Sequence, residues 1–172
     1  RIQRAFARYD ETRPDGLEPF TDDRTRYAGR IFDQMPSADI VNLHWIRGFV
    51  DLQAFFERVS VPVVWTLHDM NAFTGGCHYD VDCEKYTAQC GACPQLGSDD
   101  EADLSRSIWN RKKKAFAQID PEQLHIVTPS TWLAEETKRS TLLEPFPVTT
   151  IPYGLDIDRF APRPPKAVRT AL

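Results

Sequence analysis

The feature that most limits the fold of this chain is the regular alternation of short apolar runs with segments of helical periodicity. Four runs have the length and composition of buried strands: residues 38–43, 61–67, 124–128 and 148–151. Apolar residues recur at helical spacing in four other segments: residues 23–35, 49–59, 102–119 and 131–139. Strands that alternate with helices indicate an α/β fold, in which a parallel sheet is covered by helices on both faces.

The 172 residues favour a single α/β domain. Residues 1–22 are predicted to form an irregular N-terminal segment, 23–160 the domain itself, and the proline-rich residues 161–172 a linker. Within the domain, residues 70–100 lack any periodicity, and an insertion of that length is usually functional. Because Arg1 is not a natural start, we expect the chain to be a piece of a longer protein.

Charge and hydropathy narrow the classes of partner. The formal net charge of −4 disfavours a broad nucleic-acid-binding face, so no nucleic-acid partner is expected. The basic run at 111–114 is interpreted as a solvated helix face rather than a patch for phosphate or anionic lipid. The most apolar stretch, 59–67, is far shorter than the roughly 20 residues that span a bilayer, and no secretion leader is visible. A cytoplasmic location is therefore expected.

All four cysteines lie in the aperiodic segment, as Cys77, Cys83, Cys90 and Cys93. The last two have the spacing at which a tight turn directs two thiolates at one tetrahedral ion, which predicts a structural zinc site. The first two are spaced more widely than zinc ligands usually are, so two disulfides and four reduced, packed thiols stay open as alternatives. Four thiolates leave no open position for water, so such a metal would hold a loop, and no catalytic metal is expected.

Polar and aromatic residues follow three of the predicted strands. His44 and Trp45 come after the first strand, His68 and Asp69 after the second, and Ser130 begins the helix after the third. In open parallel sheets ligands bind outside the carboxyl ends of the strands, so these positions are candidates for a site. Each has a structural alternative: packing for the histidines, bracing of the cysteine segment for Asp69, and N-capping for Ser130. Trp45 is interpreted as a core residue.

Longer motifs resemble a known family. Residues 64–79 read VWTLHDMNAFTGGCHY and residues 90–98 read CGACPQLGS, and shorter segments at 39–45, 127–133 and 151–156 agree with them. From about Asp39 to Pro162 the chain resembles the N-terminal half of bacterial family-four glycosyltransferases, of the kind found in exopolysaccharide and colanic-acid-type pathways. The cysteine segment is the most specific part of this resemblance.

The resemblance implies a Rossmann-like domain that is one incomplete half of a two-domain GT-B enzyme. It implies retaining transfer of a sugar from a nucleotide-sugar donor to a saccharide or lipid-linked saccharide acceptor, in the cytoplasm or peripherally at the inner face of the membrane. His68 matches the family histidine that reaches the donor sugar and is the predicted catalytic residue. The predicted substrate-binding residues are His44, Asp69, Gly75, Gly76 and Ser130.

Two parts of the family pattern have no match in this chain. These are the opening strand with its glycine-rich loop, and the C-terminal domain that holds most donor contacts, so this piece alone is predicted to be inactive. Two other readings stay open. One is a stand-alone module that binds a saccharide or a protein and is stabilised by a four-cysteine metal site; the other is a truncated remnant without function.

Overall fold

The computed structural model describes residues 2–17 and 19–162. Four short strands form one sheet: β1 (Val41–Leu43), β2 (Val63–Thr66), β3 (Leu124–Thr128) and β4 (Val148–Thr150). The strands follow one another across the sheet in chain order, and each neighbouring pair is parallel. The predicted α/β fold with a Rossmann-like parallel sheet is confirmed.

Four helices accompany the sheet: α1 (Ile2–Ala7), α2 (Leu52–Phe56), α3 (Leu104–Phe116) and α4 (Thr131–Arg139). The last three begin after a residue whose side chain accepts a hydrogen bond from a backbone amide of the first turn. These N-caps are Asp51, Asp103 and Ser130. The N-cap prediction for Ser130 is therefore confirmed.

The helix predicted over 23–35 is wrong, because only a short 3-10 segment, Ala28–Asp33, forms there. The carboxylate of Asp22 accepts a hydrogen bond from the backbone amide of Arg24, and the hydroxyl of Thr25 accepts one from the amide of Tyr27. In a helix over 23–35 the amide of Tyr27 would bond to the carbonyl oxygen of residue 23, so its bond to Thr25 competes with the helical hydrogen bonds.

The main core lies between the sheet and helices α2 and α3. Alternate residues of the two central strands point into it, Val63 and Trp65 from β2 and Leu124 and Ile126 from β3, and they pack with phenylalanines of the helices. On the other face Val64, Thr66 and His125 are only half-buried, and Val127 is the buried exception in these two strands. In the described part of the chain, the packing is therefore concentrated on one face of the sheet.

A second apolar cluster joins the N-terminal segment to the cysteine segment. It contains Tyr9, Phe20, Cys77, Cys93, Leu96, Leu104 and Ile108. Phe20 also pairs with Cys77 in an isolated antiparallel bridge, and the hydroxyl of Tyr9 accepts a hydrogen bond from the amide of Leu104. The segment predicted to be irregular thus contains α1 and packs onto the domain.

The two remaining organisational predictions concern the chain end and the membrane. Most of the predicted linker, residues 163–172, lies outside the described residues. Among the helices of residues 2–17 and 19–162, none has the length and apolar character needed to cross a bilayer.

Candidate functional site at the strand ends

The carboxyl ends of the four parallel strands meet at one edge of the sheet, and an exposed ring follows each of them. His44 follows β1, His68 follows β2, Trp132 lies in the first turn after β3, and Tyr153 follows β4. The structure thus brings the two predicted histidines together at the edge where open parallel sheets bind ligands. We call His44, His68 and Tyr153 the ring stack.

The ring stack is held by hydrogen bonds and by ring contacts. Nδ1 of His44 lies 3.0 Å from Nε2 of His68, and Nδ1 of His68 is hydrogen-bonded to the hydroxyl of Tyr153. The rings of His44 and His68 stack with centroids 5.3 Å apart, and those of His68 and Tyr153 with centroids 5.7 Å apart. Both nitrogens of the central imidazole therefore have partners, and a ligand that bonds to His68 must replace one of them.

Asp69 lies beside the ring stack, but its carboxylate is bound within the protein. One oxygen accepts hydrogen bonds from Nε1 of Trp45 at 3.0 Å and Nδ1 of His78 at 2.8 Å. The other accepts one from the amide of Asn71 at 2.8 Å. Burial by itself raises the pKa of Asp69, but these hydrogen bonds, with that from His78 the strongest, outweigh it and lower the pKa below its ordinary value.

His78 ties this edge to the N-terminal segment. Its side chain is buried, and Nε2 lies 2.7 Å from the hydroxyl of Thr21. Thr21, His78 and Asp69 therefore form a continuous hydrogen-bonded row under the surface, which braces the start of the cysteine segment as the sequence interpretation of Asp69 expected.

The core interpretation of Trp45 is wrong, because 54% of this residue is exposed. Strand β1 ends at Leu43, so Trp45 lies beyond the sheet and only its indole edge is held, by Asp69 and by an edge contact with the ring of His78. Trp45 thus adds a further exposed ring to the strand-end edge.

Gly75 and Gly76 lie inside the cysteine segment and are buried, away from the exposed rings. A Cβ on Gly75 would lie 2.6 Å from the carbonyl oxygen of Ser105 and 2.8 Å from Cβ of Cys90. One on Gly76, whose φ is +127°, would lie 2.4 Å from the ring of Phe20. Close packing therefore accounts for both glycines, and their predicted contact with substrate stays a prediction.

The side chain of Lys112 lies beneath the turn that comes after Asp69 and stabilises that turn. Lys112 is 2% exposed, and its ammonium donates hydrogen bonds to the carbonyl oxygens of Asn71 and Thr74. Burial lowers the pKa of Lys112, although the charges around it act in the opposite direction. Arg111 is half-buried and binds the carboxylate of Asp23. The interpretation of 111–114 as a solvated face is therefore wrong for these two residues.

The four cysteines line one cavity together. Cys77, Cys90 and Cys93 are buried and Cys83 is half-buried, and all four are free thiols. The amide of Gly75 donates a hydrogen bond to Sγ of Cys90 at 3.2 Å. Burial raises the pKa of Cys77 strongly, that of Cys90 to about 12 and that of Cys93 to about 11. Over residues 2–17 and 19–162, no group of three or more His, Cys, Asp and Glu is arranged to hold a metal ion.

Three residues at or beneath this edge, Tyr153, Lys112 and His78, are absent from the predicted site, each for a different reason. Tyr153 follows the predicted fourth strand, so the strand-end rule that selected His44 and His68 would have found it. Lys112 lies four residues after buried Ile108, on the apolar face of α3, and that position already indicated burial. For His78 no sequence signal existed, because only the fold brings it against Asp69.

The fold is an α/β sheet with exposed rings at its strand-end edge, which is where open parallel sheets bind ligands. Over 103 residues the chain is 25% identical to the putative colanic acid biosynthesis glycosyl transferase WcaC of Escherichia coli (strain K12). The match covers 56% of this chain and 25% of that protein, so it spans about a quarter of the relative's length. No protein-family profile matches the chain. No solved structure matches it either. The chain is thus a distant relative of a glycosyltransferase.

Proposed function

We propose that this chain is the N-terminal part of a retaining GT-B glycosyltransferase that builds an exopolysaccharide. It transfers a sugar from a nucleotide-sugar donor to a saccharide or lipid-linked saccharide acceptor. The observation that carries the proposal is the placement of His68, which is exposed at the end of β2 and bonded to His44 and Tyr153 in a chain distantly related to a glycosyltransferase.

His68 is the proposed catalytic residue. In glycosyl transfer the bond from the anomeric carbon to the donor phosphate oxygen breaks, the bond to the acceptor oxygen forms, and the acceptor proton goes to the nucleotide phosphate that leaves. An N–H of His68 donates to the donor sugar and stabilises the charge that develops as the phosphate leaves. His44 and Tyr153 orient the ring before the ligand arrives, and one of them yields its hydrogen bond to the ligand.

Asp69 and Ser130 have different proposed roles. The carboxylate of Asp69 is occupied by Trp45, His78 and the Asn71 amide, so it positions the edge and contacts substrate only by exchanging a partner. The hydroxyl oxygen of Ser130 accepts from the amide of Leu133, which leaves its O–H to donate to a saccharide hydroxyl.

Most donor contacts in this proposal belong to a C-terminal domain, so the piece alone has no transferase activity. This domain binds the acceptor, and a lipid-linked acceptor recruits the protein to the cytoplasmic face of the membrane. The distant relative is about four times longer than the matched region, which accords with a two-domain enzyme.

The proposal is tested with the protein in its natural full length and a panel of radiolabelled nucleotide sugars. We expect His68→Ala to reduce transfer at least about 100-fold. The matched control is His125→Ala, since His125 lies within β3 and bonds to Thr149 rather than to the edge. Sugar transfer by His68→Ala at the wild-type rate would overturn the catalytic role of His68. If the full-length protein neither binds a donor nor transfers a sugar, the proposed transferase function is wrong.

The second candidate function is a saccharide- or protein-binding module without transferase activity, built around the cysteines. It is favoured by the shared cavity of the four thiols, which gives the segment an internal anchor of its own. Calorimetry separates the two functions: a module binds a saccharide with unchanged affinity after His68→Ala and binds no nucleotide sugar.

We also propose a structural zinc ion at Cys77, Cys83, Cys90 and Cys93. The common cavity and the N–H to sulfur bond from Gly75 support it, because thiolates in closed zinc sites accept such bonds. Binding requires the side chains to turn towards one another and to lose their protons. Elemental analysis of protein purified without added metal tests this, and less than about a tenth of an equivalent of zinc excludes it. Mass analysis after thiol alkylation shows whether two disulfides form instead.

A further inference from the structure

Two exposed aromatic rings from distant parts of the chain lie against each other beside the strand-end edge. Tyr79 belongs to the cysteine segment and Trp132 to the first turn of α4, and their ring centroids are 6.1 Å apart at an interplanar angle of 27°. Tyr79 is 40% exposed and Trp132 is 46% exposed. Single exposed aromatic residues are ordinary, but two in contact form a continuous apolar surface open to a ligand.

The pair lies on the same edge of the sheet as the ring stack. Tyr79 directly follows His78, whose ring is bound to Asp69 at the end of β2. Trp132 comes two residues after Ser130, at the end of β3, and β2 and β3 are neighbours. The rings therefore lie at the same edge of the sheet as the proposed reacting position and have their own contact, apart from those of the ring stack.

Both rings are carried by backbone that is fixed from within the protein. The carbonyl oxygen of Tyr79 accepts a hydrogen bond from Nε2 of the buried Gln95 at 2.5 Å. On the other side of the pair, the N-cap Ser130 holds the helical turn that carries Trp132. Rings that are positioned before binding lose little conformational entropy when a ligand stacks on them.

We propose that Tyr79 and Trp132 form a saccharide platform that binds a pyranose ring of an extended acceptor, one or more units from the reacting hydroxyl. One face of a pyranose carries several C–H groups and is apolar, whereas its edge carries hydroxyls. Such a face packs on an aromatic ring while the hydroxyls stay in water or bind nearby polar groups. This inference rests on the proposed function, and it adds that the acceptor is at least a disaccharide.

A saccharide fits this surface better than a protein partner does. A stable protein interface buries at least about 1,000 Å², and two half-exposed rings supply only a small part of that area. Binding energy from a remote sugar unit also suits a transferase, because it can orient the acceptor hydroxyl at the reacting centre.

The test is calorimetric titration of the 172-residue chain with neutral glucose and galactose oligosaccharides, from the mono- to the tetrasaccharide. We expect affinity to rise with length, and Tyr79→Ala or Trp132→Ala to weaken tetrasaccharide binding about five- to tenfold. The variants Tyr79→Phe and Trp132→Phe keep an aromatic ring and should retain binding. Tyr27→Ala is the matched control, since Tyr27 is 39% exposed and lies outside the strand-end edge.

Thermal unfolding of each variant establishes that it is folded at the titration temperature. The platform is overturned if no oligosaccharide in the series binds to the wild-type chain, or if the alanine variants bind as tightly as Tyr27→Ala. A failure of the platform is distinguishable from a failure of the enzyme. If full-length protein transfers sugar in a His68-dependent manner with an acceptor KM unchanged by Tyr79→Ala, the platform alone is wrong. If saccharide binds but no nucleotide sugar does, the transferase alone is wrong.

Discussion

The cysteine segment and the strand-end edge both contain predicted site residues, yet the two regions differ in solvent exposure. Three of the four cysteines are at most 8% exposed, whereas Trp45 and Tyr153 are 54% and 62% exposed. Around the cysteines the side chains are packed inside the protein, whereas at the edge the rings face the solvent. A cluster of chemically active residues therefore indicates a substrate site only where the fold leaves it accessible to solvent.

The two regions are nevertheless connected, both along the chain and by hydrogen bonds. The turn that follows Asp69 leads into the cysteine segment, and Lys112 and His78 hold it from beneath. We infer that the buried region serves the exposed one, since it fixes the backbone from which Asp69 and Tyr79 project. This division predicts large stability effects inside and small ones at the edge.

The largest effect is expected from a glycine inside the cysteine segment. Gly75→Ala places a Cβ 2.6 Å from a backbone oxygen and should lower the free energy of unfolding by about 3 kcal/mol or more. Gly154→Ala is the control at the edge, where no heavy atom lies within 4 Å of the added carbon. Urea unfolding measures both, and equal midpoints would remove the contrast between the two regions.

The second-largest loss of stability is expected when the buried ammonium of Lys112 is removed. Lys112→Met leaves two carbonyl oxygens without their donor and should cost about 2–4 kcal/mol in the free energy of unfolding. Lys114→Met changes an exposed lysine of the same helix and should alter it by less than about 0.5 kcal/mol. Chemical denaturation of the two variants in parallel tests this, and a stable Lys112→Met protein would show that the turn does not depend on that side chain.

A moderate, pH-dependent effect is expected at Asp69, where the two regions meet. Its folded pKa lies below the ordinary value of 3.8, so its charged form stabilises the fold at higher pH. That contribution is present above the unfolded pKa and is lost as the pH falls through the folded pKa. Asp69→Asn should therefore lose about 1–2 kcal/mol at pH 7 and progressively less below pH 4.

Denaturant unfolding from pH 7 to pH 2.5 measures this dependence. Asp10→Asn is the control for the loss of one carboxylate, because Asp10 is exposed. A stability loss in Asp69→Asn that does not shrink at low pH would show that the ionised carboxylate is not what holds Trp45 and His78.

The smallest stability effect is expected at the ring stack itself. His44→Ala and Tyr153→Phe remove exposed hydrogen bonds, so each should change the free energy of unfolding by less than about 0.5–1 kcal/mol. In the full-length protein, both should still reduce transfer about tenfold, because His68 loses an orienting partner. A large stability loss with unchanged transfer would reverse the roles that we assign to the interior and the edge.

Much of the fold was predictable from local pattern. The bounds of β3 and α4 agree with their predicted ranges, and the strand-end rule selects His44 and His68 from the sequence alone. The periodicity of the sequence predicted the wrong structure where hydrogen bonds of individual side chains determine the local fold. Thr25 binds the backbone amide of Tyr27, which a helix over 23–35 would have needed, and Lys112 is buried because two carbonyl oxygens of a distant turn accept hydrogen bonds from its ammonium.

The sequence by itself determined the alternation of strands and helices, the capping by Ser130, and the motifs that resemble a glycosyltransferase, since each depends on residues close together in the chain. Only the tertiary structure decided which reactive side chains are reachable. It placed Tyr153 on His68 across 85 residues and Tyr79 against Trp132, and it buried the cysteines that looked most like a site. Accessibility and long-range contact depend on how all elements pack together, and no local pattern encodes that.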